Sequence, residues 1–270
     1  MTEEERMIHK ARMCLYPDVA VAIVSYNRPE RLIETLRQFI EDYPNAHLTL
    51  KIVGMEELNE NPTHQFKERL ADVMHRYKSH TLSMVAHNKS VGESRLYTTS
   101  RARRTGCKYI ITLDDDMNIP SGSVSKLVDA ISLTAKIGAV GMFHQPGYAA
   151  GEVVARVEGD STVKALTERV PETGFNKMGW IPTAFTIIRS EVFDKEQFDP
   201  KLSRLEDIDF FLRVSKHFDV FCLRDENMQP ENDHCADTRE YKKNVRNMRQ
   251  RKELHTYIAD KHGIKVNIPT

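Results

Sequence analysis

The sequence predicts an α/β fold in which a mostly parallel central sheet is flanked by helices. Apolar runs rich in β-branched residues, such as VAVAIVSY at 19–26, are typical of strands buried on both faces of a parallel sheet. Amphipathic stretches of helical period separate these runs. This alternation of strand and helix along the chain is the pattern of a layered α/β sandwich.

The first half of the chain holds four predicted strands with helices between them. The strands are predicted at 19–29, 48–54, 80–88 and 108–114, and the helices at 29–43, 63–78 and 92–106. Pro29 stands near the start of the first helix, where proline is favoured, and Gly106 ends the third. A further helix follows the fourth strand, with Asn118 or Ser121 as its predicted N-cap.

The second half is predicted to extend the same sheet. Further strands, of mixed direction, are predicted at 138–145, 152–159 and 183–190, where short apolar runs are separated by Gly and Pro. A helix at 205–217, a strand at 218–225 and a long charged helix at 238–263 complete the chain. We see no internal repeat or low-complexity linker, so we predict one domain over residues 1–270.

The composition predicts a soluble protein of the cytoplasm. Hydrophobic residues make up 40% of the 270 and the formal net charge is zero, so total charge does not indicate a class of partner. The charged N-terminus lacks the apolar core of a secretory signal, and no stretch predicts a membrane span. The four cysteines are scattered without a CxxC pair, which argues against a zinc site and favours a reducing compartment.

Three consecutive aspartates, Asp114, Asp115 and Asp116, follow the fourth predicted strand. Taking carboxylates out of water is costly unless something compensates their charge. Either these side chains lie in water, in a turn that leads into the next helix, or a cation is expected there. In an open α/β sheet, ligands bind beyond the carboxyl ends of the strands. A hard divalent cation needs only one or two such carboxylates when a diphosphate supplies its other oxygens.

Four segments, taken in order, resemble the family 2 glycosyltransferases of GT-A fold. They are VAIVSYNRPERLIETLRQF, NKSVGESRLYTTSRARRTGCKYIITLDDDM, KMGWIPTAFTIIRSEVF and LEDIDFFLRV, and the resemblance covers residues 19 to about 215. It implies a GT-A-type nucleotide-sugar-binding sandwich that moves a hexosyl or pentosyl group to an acceptor hydroxyl. The implied donor is a UDP-sugar and the implied cofactor Mn²⁺ or Mg²⁺. The chain would then divide into a donor-binding half (19–120), an acceptor and catalytic half (138–236) and a basic helical tail (237–270).

The resemblance also implies which residues form the site. Those matched to donor binding are Ser25, Tyr26, Asn27, Arg28, Gly92, Arg95, Asp114 and Asp115. Asp114 and Asp116 match the outer members of the DxD metal motif, and His234 is the candidate for a further metal ligand. Gly179 and Trp180 match the acceptor-side loop. Asp207 and Glu206 match an ED pair, whose Asp is taken as the catalytic base in inverting members.

Several of these assignments have a purely structural alternative. Glu206 and Asp207 are also favoured at a helix start by the helix dipole. His234 is alternatively an exposed loop histidine, although imidazole suits Mn²⁺ as a ligand. Trp180 either offers a face on which a sugar or base stacks or simply packs in the core. As a base, Asp207 would take the proton of an acceptor hydroxyl, and whether the product is inverted or retained stays open.

A basic stripe near the C-terminus favours a polyanionic acceptor. Between Arg239 and Lys252 there are seven Lys or Arg residues and one acid, although such a run is also typical of a solvated helix face. One specific hypothesis is transfer to a hydroxymethylated base in DNA, which would have to be flipped out of the duplex. Two other classes are a nucleotidyltransferase, for which SYNRPERL lacks the expected glycine cluster and lysine, and a non-catalytic nucleotide-sugar-binding module.

Overall fold

The computed structural model describes residues 18–26, 28–53, 62–85, 90–142, 156–157, 160–163, 174–224, 231–232, 248–262 and 265–266. The strands in these ranges are β1 (Val19–Tyr26), β2 (Ala46–Val53), β3 (Ser79–Val85), β4 (Tyr109–Asp114), β5 (Met117–Asn118), β6 (Ile137–Met142), β7 (Arg156–Val157), β8 (Asp160–Val163), β9 (Gly174–Lys177), β10 (Phe185–Arg189), β11 (Asp219–Arg224), β12 (Glu231–Asn232) and β13 (Lys265–Val266). The helices are α1 (Pro29–Asp42), α2 (Pro62–Met74), α3 (Val91–Arg103), α4 (Ser123–Ser132), α5 (Val192–Lys195), α6 (Glu206–Val214) and α7 (Met248–His262).

Eight of the strands form one sheet, in the order β3-β2-β1-β4-β10-β6-β11-β9. The first four strands in this order are parallel to one another. β10 is antiparallel to both β4 and β6, so β6 and its parallel neighbour β11 run in the same direction as β1. β9 is antiparallel to β11. The predicted mostly parallel sheet and its mixed extension after residue 138 are confirmed.

Helices cover both faces of this sheet, and alternate side chains of β1 are buried in two different clusters, one on each face. Val19, Val21 and Ile23 belong to one buried cluster, which includes side chains of α1, α2 and α4. Ala20 and Ala22 belong to a second cluster, with side chains of α3, α5 and α6. A strand covered on both faces must be apolar at every position, which explains the uninterrupted apolar run that predicted β1.

Asp42, the last residue of α1, caps a different helix. Its carboxylate accepts hydrogen bonds from the backbone N–H groups of Gly122 and Val124, the second at 2.9 Å. These N–H groups stand at the start of α4, where a carboxylate also interacts favourably with the helix dipole. The predicted caps, Asn118 and Ser121, are therefore wrong. Asn118 lies in β5, and α4 has no side-chain cap from its own N-terminal residues.

Three short strand pairings differ from the prediction. β9 lies in a segment for which no strand was predicted, and it pairs with β11 at one edge of the sheet. The described part of the predicted strand 152–159 is β7, which pairs with β8 in a small separate sheet with β13, so it does not extend the central sheet. β5 pairs with β12, which places Asn232 opposite Met117.

The C-terminal helix is present as α7, Met248–His262, within the predicted range 238–263. Residues 239–247 of the basic stripe lie outside the described residues. None of the helices that the structure describes has both the length and the apolar character needed to cross a membrane. Cys107 and Cys222, the two cysteines in the described ranges, are both buried.

Candidate active site

The carboxyl ends of β1 and β4 meet at one edge of the central sheet, and most of the predicted donor-site residues lie there. The two strands are parallel neighbours, with Val24 of β1 opposite Asp114 of β4. Ser25 and Tyr26, which complete β1, are therefore brought beside Asp115 and Asp116. This is the position at which open α/β sheets bind ligands.

Asp115 is buried and joins the two strand ends. Its Oδ2 accepts hydrogen bonds from the Ser25 hydroxyl at 2.6 Å and from the Tyr26 N–H at 3.3 Å. Its Oδ1 lies 3.4 Å from Arg28 Nη1. Burial raises the pKa of Asp115 to about 7, although Arg28 and the Ser25 hydroxyl favour the charged form. These contacts give Asp115 a role in holding the end of β1, and its donor contact stays a prediction.

Asp116 is also buried, and the Arg28 guanidinium forms an ion pair with its Oδ2. Burial, together with the neighbouring charge of Asp114, raises the pKa of Asp116 to about 6, and Arg28 opposes that rise. Arg28 thus supplies positive charge to two of the three aspartates. A divalent cation that binds Asp116 would therefore compete with Arg28 for the same carboxylate.

Asp114 is the most accessible of the three aspartates, with 32% of its side chain exposed, and it pairs with Arg95 of α3. Arg95 is only 4% exposed. Its Nε and Nη1 are buried and have no hydrogen-bond partner among the described residues. Buried N–H groups are costly when left unsatisfied, and contact of these two donors with the oxygen atoms of a ligand stays a prediction. Phosphate and carboxylate groups are the usual partners of a guanidinium.

Glu206 and Asp207 occupy the first two positions of α6, as the prediction of a helix start requires. Glu206 is buried and Asp207 is half-buried. Asp207 Oδ1 accepts a hydrogen bond from the Ile208 N–H at 2.8 Å. The preceding residue, Leu205, has φ 60° and ψ 19°, a left-handed conformation that residues other than glycine rarely adopt. The acid pair is thus presented by a strained turn.

Arg95 links the acid pair electrostatically to the end of β4. Burial raises the pKa of Glu206 to about 8, and repulsion by Asp207 adds to the rise. Burial likewise raises the pKa of Asp207 to about 6. The charge of Arg95 lowers both pKa values, whereas that of Asp114 raises both. Asp114, Arg95 and the acid pair therefore form one electrostatic cluster.

Gly92 is in close contact with another part of the protein. Its N–H donates to the Leu202 carbonyl at 2.8 Å, and a Cβ added to it would lie 2.0 Å from the Asp199 carbonyl oxygen. Glycine is therefore required for the close packing of α3 on the chain at 199–202. A contact between Gly92 and the donor stays a prediction.

Gly179 and Trp180 lie in the connection between β9 and β10. Trp180 is 8% exposed and packs in the second core cluster with Met178 and Ile181. Packing thus accounts for most of its ring, and sugar or base stacking stays a prediction. Tyr26, at the end of β1, is 40% exposed and offers more open aromatic surface than Trp180 does.

The described residues fit a cation that is shared with a diphosphate. No group of three or more His, Cys, Asp or Glu side chains in the described ranges is arranged to hold a metal ion. Asp114 and Asp116 offer the hard oxygen ligands that Mg²⁺ and Mn²⁺ accept alongside phosphate oxygens. His234, like Asn27, lies outside the described residues, but the pairing of β12 with β5 places Asn232 opposite Met117, the residue after Asp116.

Two residues that shape the site were not found from the sequence. The Thr35 hydroxyl contacts the carbonyl oxygens of Asp115 and Met117, each at 3.0 Å, and so fixes the turn after β4. A lone threonine on the inner face of α1 gives no sequence signal for this role. The left-handed Leu205 gives none either, since glycine or asparagine is the usual sign of that conformation.

Two solved structures identify the fold. One is the crystal structure of Staphylococcus aureus TarS 1–349, with a TM-score of 0.53, 15% sequence identity, and coverage of 80% of this chain and 60% of that chain. The other is the same TarS segment in complex with UDP, with a TM-score of 0.52, 15% identity, and coverage of 79% and 60%. No protein-family model and no curated protein matches this sequence.

These similarities show that the chain has the α/β fold of TarS, and the predicted fold class is confirmed. Sequence identity at this level carries the fold alone. The chain spans about 60% of the length of the TarS structures that it matches.

Proposed function

We propose that this protein is a metal-dependent glycosyltransferase that moves a sugar from a nucleotide sugar to an acceptor hydroxyl. The proposed donor is a UDP-sugar. The cluster around Arg95 carries the proposal. One buried guanidinium, with two nitrogen donors that have no hydrogen-bond partner among the described residues, lies between a strand-end aspartate and a helix-start acid pair. The fold shared with TarS, which has been crystallised with UDP, supports the same class of donor.

In this proposal the edge of β1 and β4 binds the donor. The exposed ring of Tyr26 stacks on the nucleoside base, and Arg95 donates its free N–H groups to diphosphate oxygens. Asp114 and Asp116 hold Mn²⁺ or Mg²⁺, with His234 as a further ligand. A bound cation would neutralise the negative charge that develops on the leaving diphosphate.

Asp207 is the proposed catalytic base. It takes the proton of the acceptor hydroxyl as that oxygen bonds to the sugar anomeric carbon. The bond from this carbon to the diphosphate breaks at the same time, and the diphosphate leaves with the electron pair. Asp207 suits this role better than Glu206 because its pKa is raised less and its side chain is less buried. Direct displacement of this kind inverts the anomeric configuration.

The acceptor is proposed on charge alone. The basic stripe favours a polyanion, and a hydroxymethylated DNA base is the specific candidate. The direct test compares binding of duplex DNA, with and without hydroxymethylated bases, against heparin at several salt concentrations. Equal affinity for heparin and for both duplexes would reduce the stripe to a non-specific basic surface.

The donor proposal is tested by thermal shift. The melting temperature is measured with nucleoside diphosphates and nucleotide sugars, each with and without Mn²⁺, because a ligand that binds the native state raises it. We expect a metal-dependent rise with UDP and one UDP-sugar, and its loss in Asp116→Ala. The matched control is Asp72→Ala, which removes an exposed carboxylate on α2.

The other two classes give different results in the same panel. A nucleotidyltransferase would respond to nucleoside triphosphates in preference to UDP-sugars. A non-catalytic binding module would show the UDP-sugar shift but would not release UDP from the sugar on incubation. No response to any donor would remove the proposal of a nucleotide-sugar site.

A further inference from the structure

Residues 199–209, here called the acid segment, lie between two helices. On one side the segment contacts the N-terminal end of α3. The Ser90 hydroxyl donates to the Pro200 carbonyl at 2.5 Å, and the Gly92 N–H donates to the Leu202 carbonyl at 2.8 Å. α3 also carries Arg95, so the segment that bears the acid pair is packed directly on the helix that bears their counter-charge.

On the other side the acid segment is held by the last turns of α7. The Tyr257 hydroxyl donates to Asp199 Oδ2 at 2.9 Å. Lys261 Nζ lies 2.7 Å from Asp199 Oδ2 and 2.9 Å from Asp209 Oδ1, so one lysine joins both ends of the segment. His262 Nε2 lies 2.9 Å from the same Asp209 oxygen.

Asp209 is the buried end of this arrangement. Its side chain is fully buried and also accepts hydrogen bonds from Arg213 of its own helix, at 3.2 Å and 2.9 Å. Although burial acts to raise it, hydrogen bonds from His262 and Lys261 bring the pKa of Asp209 below its ordinary value. The carboxylate therefore stays charged and keeps its partners. Such a buried, paired charge fixes the first turn of α6 against α7.

Apolar packing fixes the middle of the acid segment in the same way. Leu202, Leu212 and Ile258 form a small buried cluster, and Leu205, Ile208 and Leu254 pack against it. Leu205, the left-handed residue directly before Glu206, is thus packed into a cluster that includes α7. A strained residue of this kind persists only where its surroundings hold it.

We propose that α7 is a positioning element for the acid pair, in which Lys261, Tyr257 and His262 hold the acid segment so that Glu206 and Asp207 face Arg95 and Asp114. This inference rests on the proposed function for its kinetic consequence, but its structural part does not depend on it. Loss of the α7 contacts should release the turn at Leu205 and misplace the base. It should leave donor binding at the β1–β4 edge intact.

The test uses Lys261→Met in the full chain, which removes the bridging charge and keeps the aliphatic stem. Lys261→Arg is the conservative variant, and Lys67→Met, an exposed lysine on α2, is the matched control. Hydrogen exchange is followed in peptides that cover 199–209 and, as an internal reference, 109–114. UDP affinity with Mn²⁺ and UDP release from a UDP-sugar are measured on the same proteins.

We expect Lys261→Met to speed exchange in 199–209 by about tenfold or more while 109–114 stays unchanged, because local opening is then easier. UDP affinity should change by less than about twofold and UDP release should fall by about 10–100-fold, as for a misplaced catalytic group. Lys261→Arg should keep most of the exchange protection of 199–209 and most of the rate of UDP release. Lys67→Met should match the wild type in all three measurements.

The outcomes separate this inference from the proposed function. Unchanged exchange at 199–209 in Lys261→Met overturns the positioning role, whatever the activity. Faster exchange with unchanged UDP release also overturns it, since the acid pair would not need α7. If the wild type binds no UDP, the proposed function fails, and the exchange measurement still decides whether α7 holds the acid segment.

Discussion

The ion pair between Arg95 and Asp114 joins helix α3 to the end of strand β4. The same guanidinium acts on Glu206 and Asp207 at the start of α6, so α3, β4 and α6 share one buried charge. Buried ion pairs contribute little net stability because both groups lose their hydration. Under the proposed function, this arrangement serves the chemistry of the site.

Removing the charge of Arg95 should raise the pKa values of the acid pair. Arg95 lowers the pKa of both Glu206 and Asp207 against the effect of burial. We expect Arg95→Met to move the titration of the Asp207 carboxyl upward by about one unit, and Arg95→Lys to move it much less. The measurement is the ¹³C shift of the labelled side-chain carboxyl as a function of pH.

The matched control for that titration is Arg101→Met, an exposed arginine on the same helix. It should leave the Asp207 titration where it is in the wild type. A titration that is equally unmoved in Arg95→Met would show that Arg95 does not act on the acid pair.

Replacing Glu206 by Gln should stabilise the protein at alkaline pH. Burial raises the pKa of Glu206 from 4.5 to about 8, so the folded state binds this proton more tightly than the unfolded chain does. The protonated Glu206 side chain contributes its full stability below the unfolded-state pKa of 4.5. This contribution is lost as the pH rises through the folded-state pKa of about 8. We expect wild type and Glu206→Gln to have nearly equal free energies of unfolding at pH 5. At pH 9 that of Glu206→Gln should be larger by roughly 1–3 kcal/mol.

Urea unfolding at pH 5, 7 and 9 gives the free energy of unfolding for this comparison. Glu34→Gln, at an exposed position of α1, serves as the control and should show no such trend. A stability difference that is the same at all three pH values would mean that Glu206 titrates normally.

Arg28 and a divalent cation should compete for Asp116. Arg28→Met leaves Asp115 and Asp116 buried without this counter-charge, so we expect a loss of about 2–4 kcal/mol in the free energy of unfolding without metal. Adding Mn²⁺ should restore part of that loss. The rise in melting temperature on adding Mn²⁺ should therefore be larger in the variant than in the wild type.

Arg69→Met is the control for this experiment, because Arg69 forms an exposed pair with Glu30 at 2.9 Å. Exposed pairs contribute about 1 kcal/mol or less, and this one joins α2 to the start of α1. An equal Mn²⁺ response in wild type and Arg28→Met would contradict the competition.

Gly92→Ala separates a packing role from a donor contact. A Cβ at this position would lie 2.0 Å from the Asp199 carbonyl oxygen. We therefore expect the free energy of unfolding, measured in urea, to fall by roughly 1–3 kcal/mol. Gly106→Ala, where a Cβ meets open space but φ is +77°, should cost about 1 kcal/mol. Weakened UDP binding without loss of stability in Gly92→Ala would instead favour the donor contact.

The strands and helices that could be predicted are those whose structure is specified by their own residues. The buried positions of β1 and β4 are apolar apart from Ser25 and Thr112, and α1 carries buried apolar residues at helical spacing. Local composition and period are enough for such elements, because burial of apolar surface is the dominant favourable contribution to folding. The short strands β5, β9 and β12 have no such pattern in their own sequences. Each forms because it pairs with a partner strand.

For the site, the acidic and basic residue types and their order at the strand and helix ends can be read from the sequence. Which of these side chains meet depends on how the elements pack. Arg95 pairs with Asp114, Arg28 contacts both Asp115 and Asp116, and Asp42 caps a helix that begins 81 residues after it. These contacts join residues far apart in the chain, and a charged side chain of fixed type accepts many partners. The partner is chosen by the packing of the sheet and its helices, which brings particular charges together out of water.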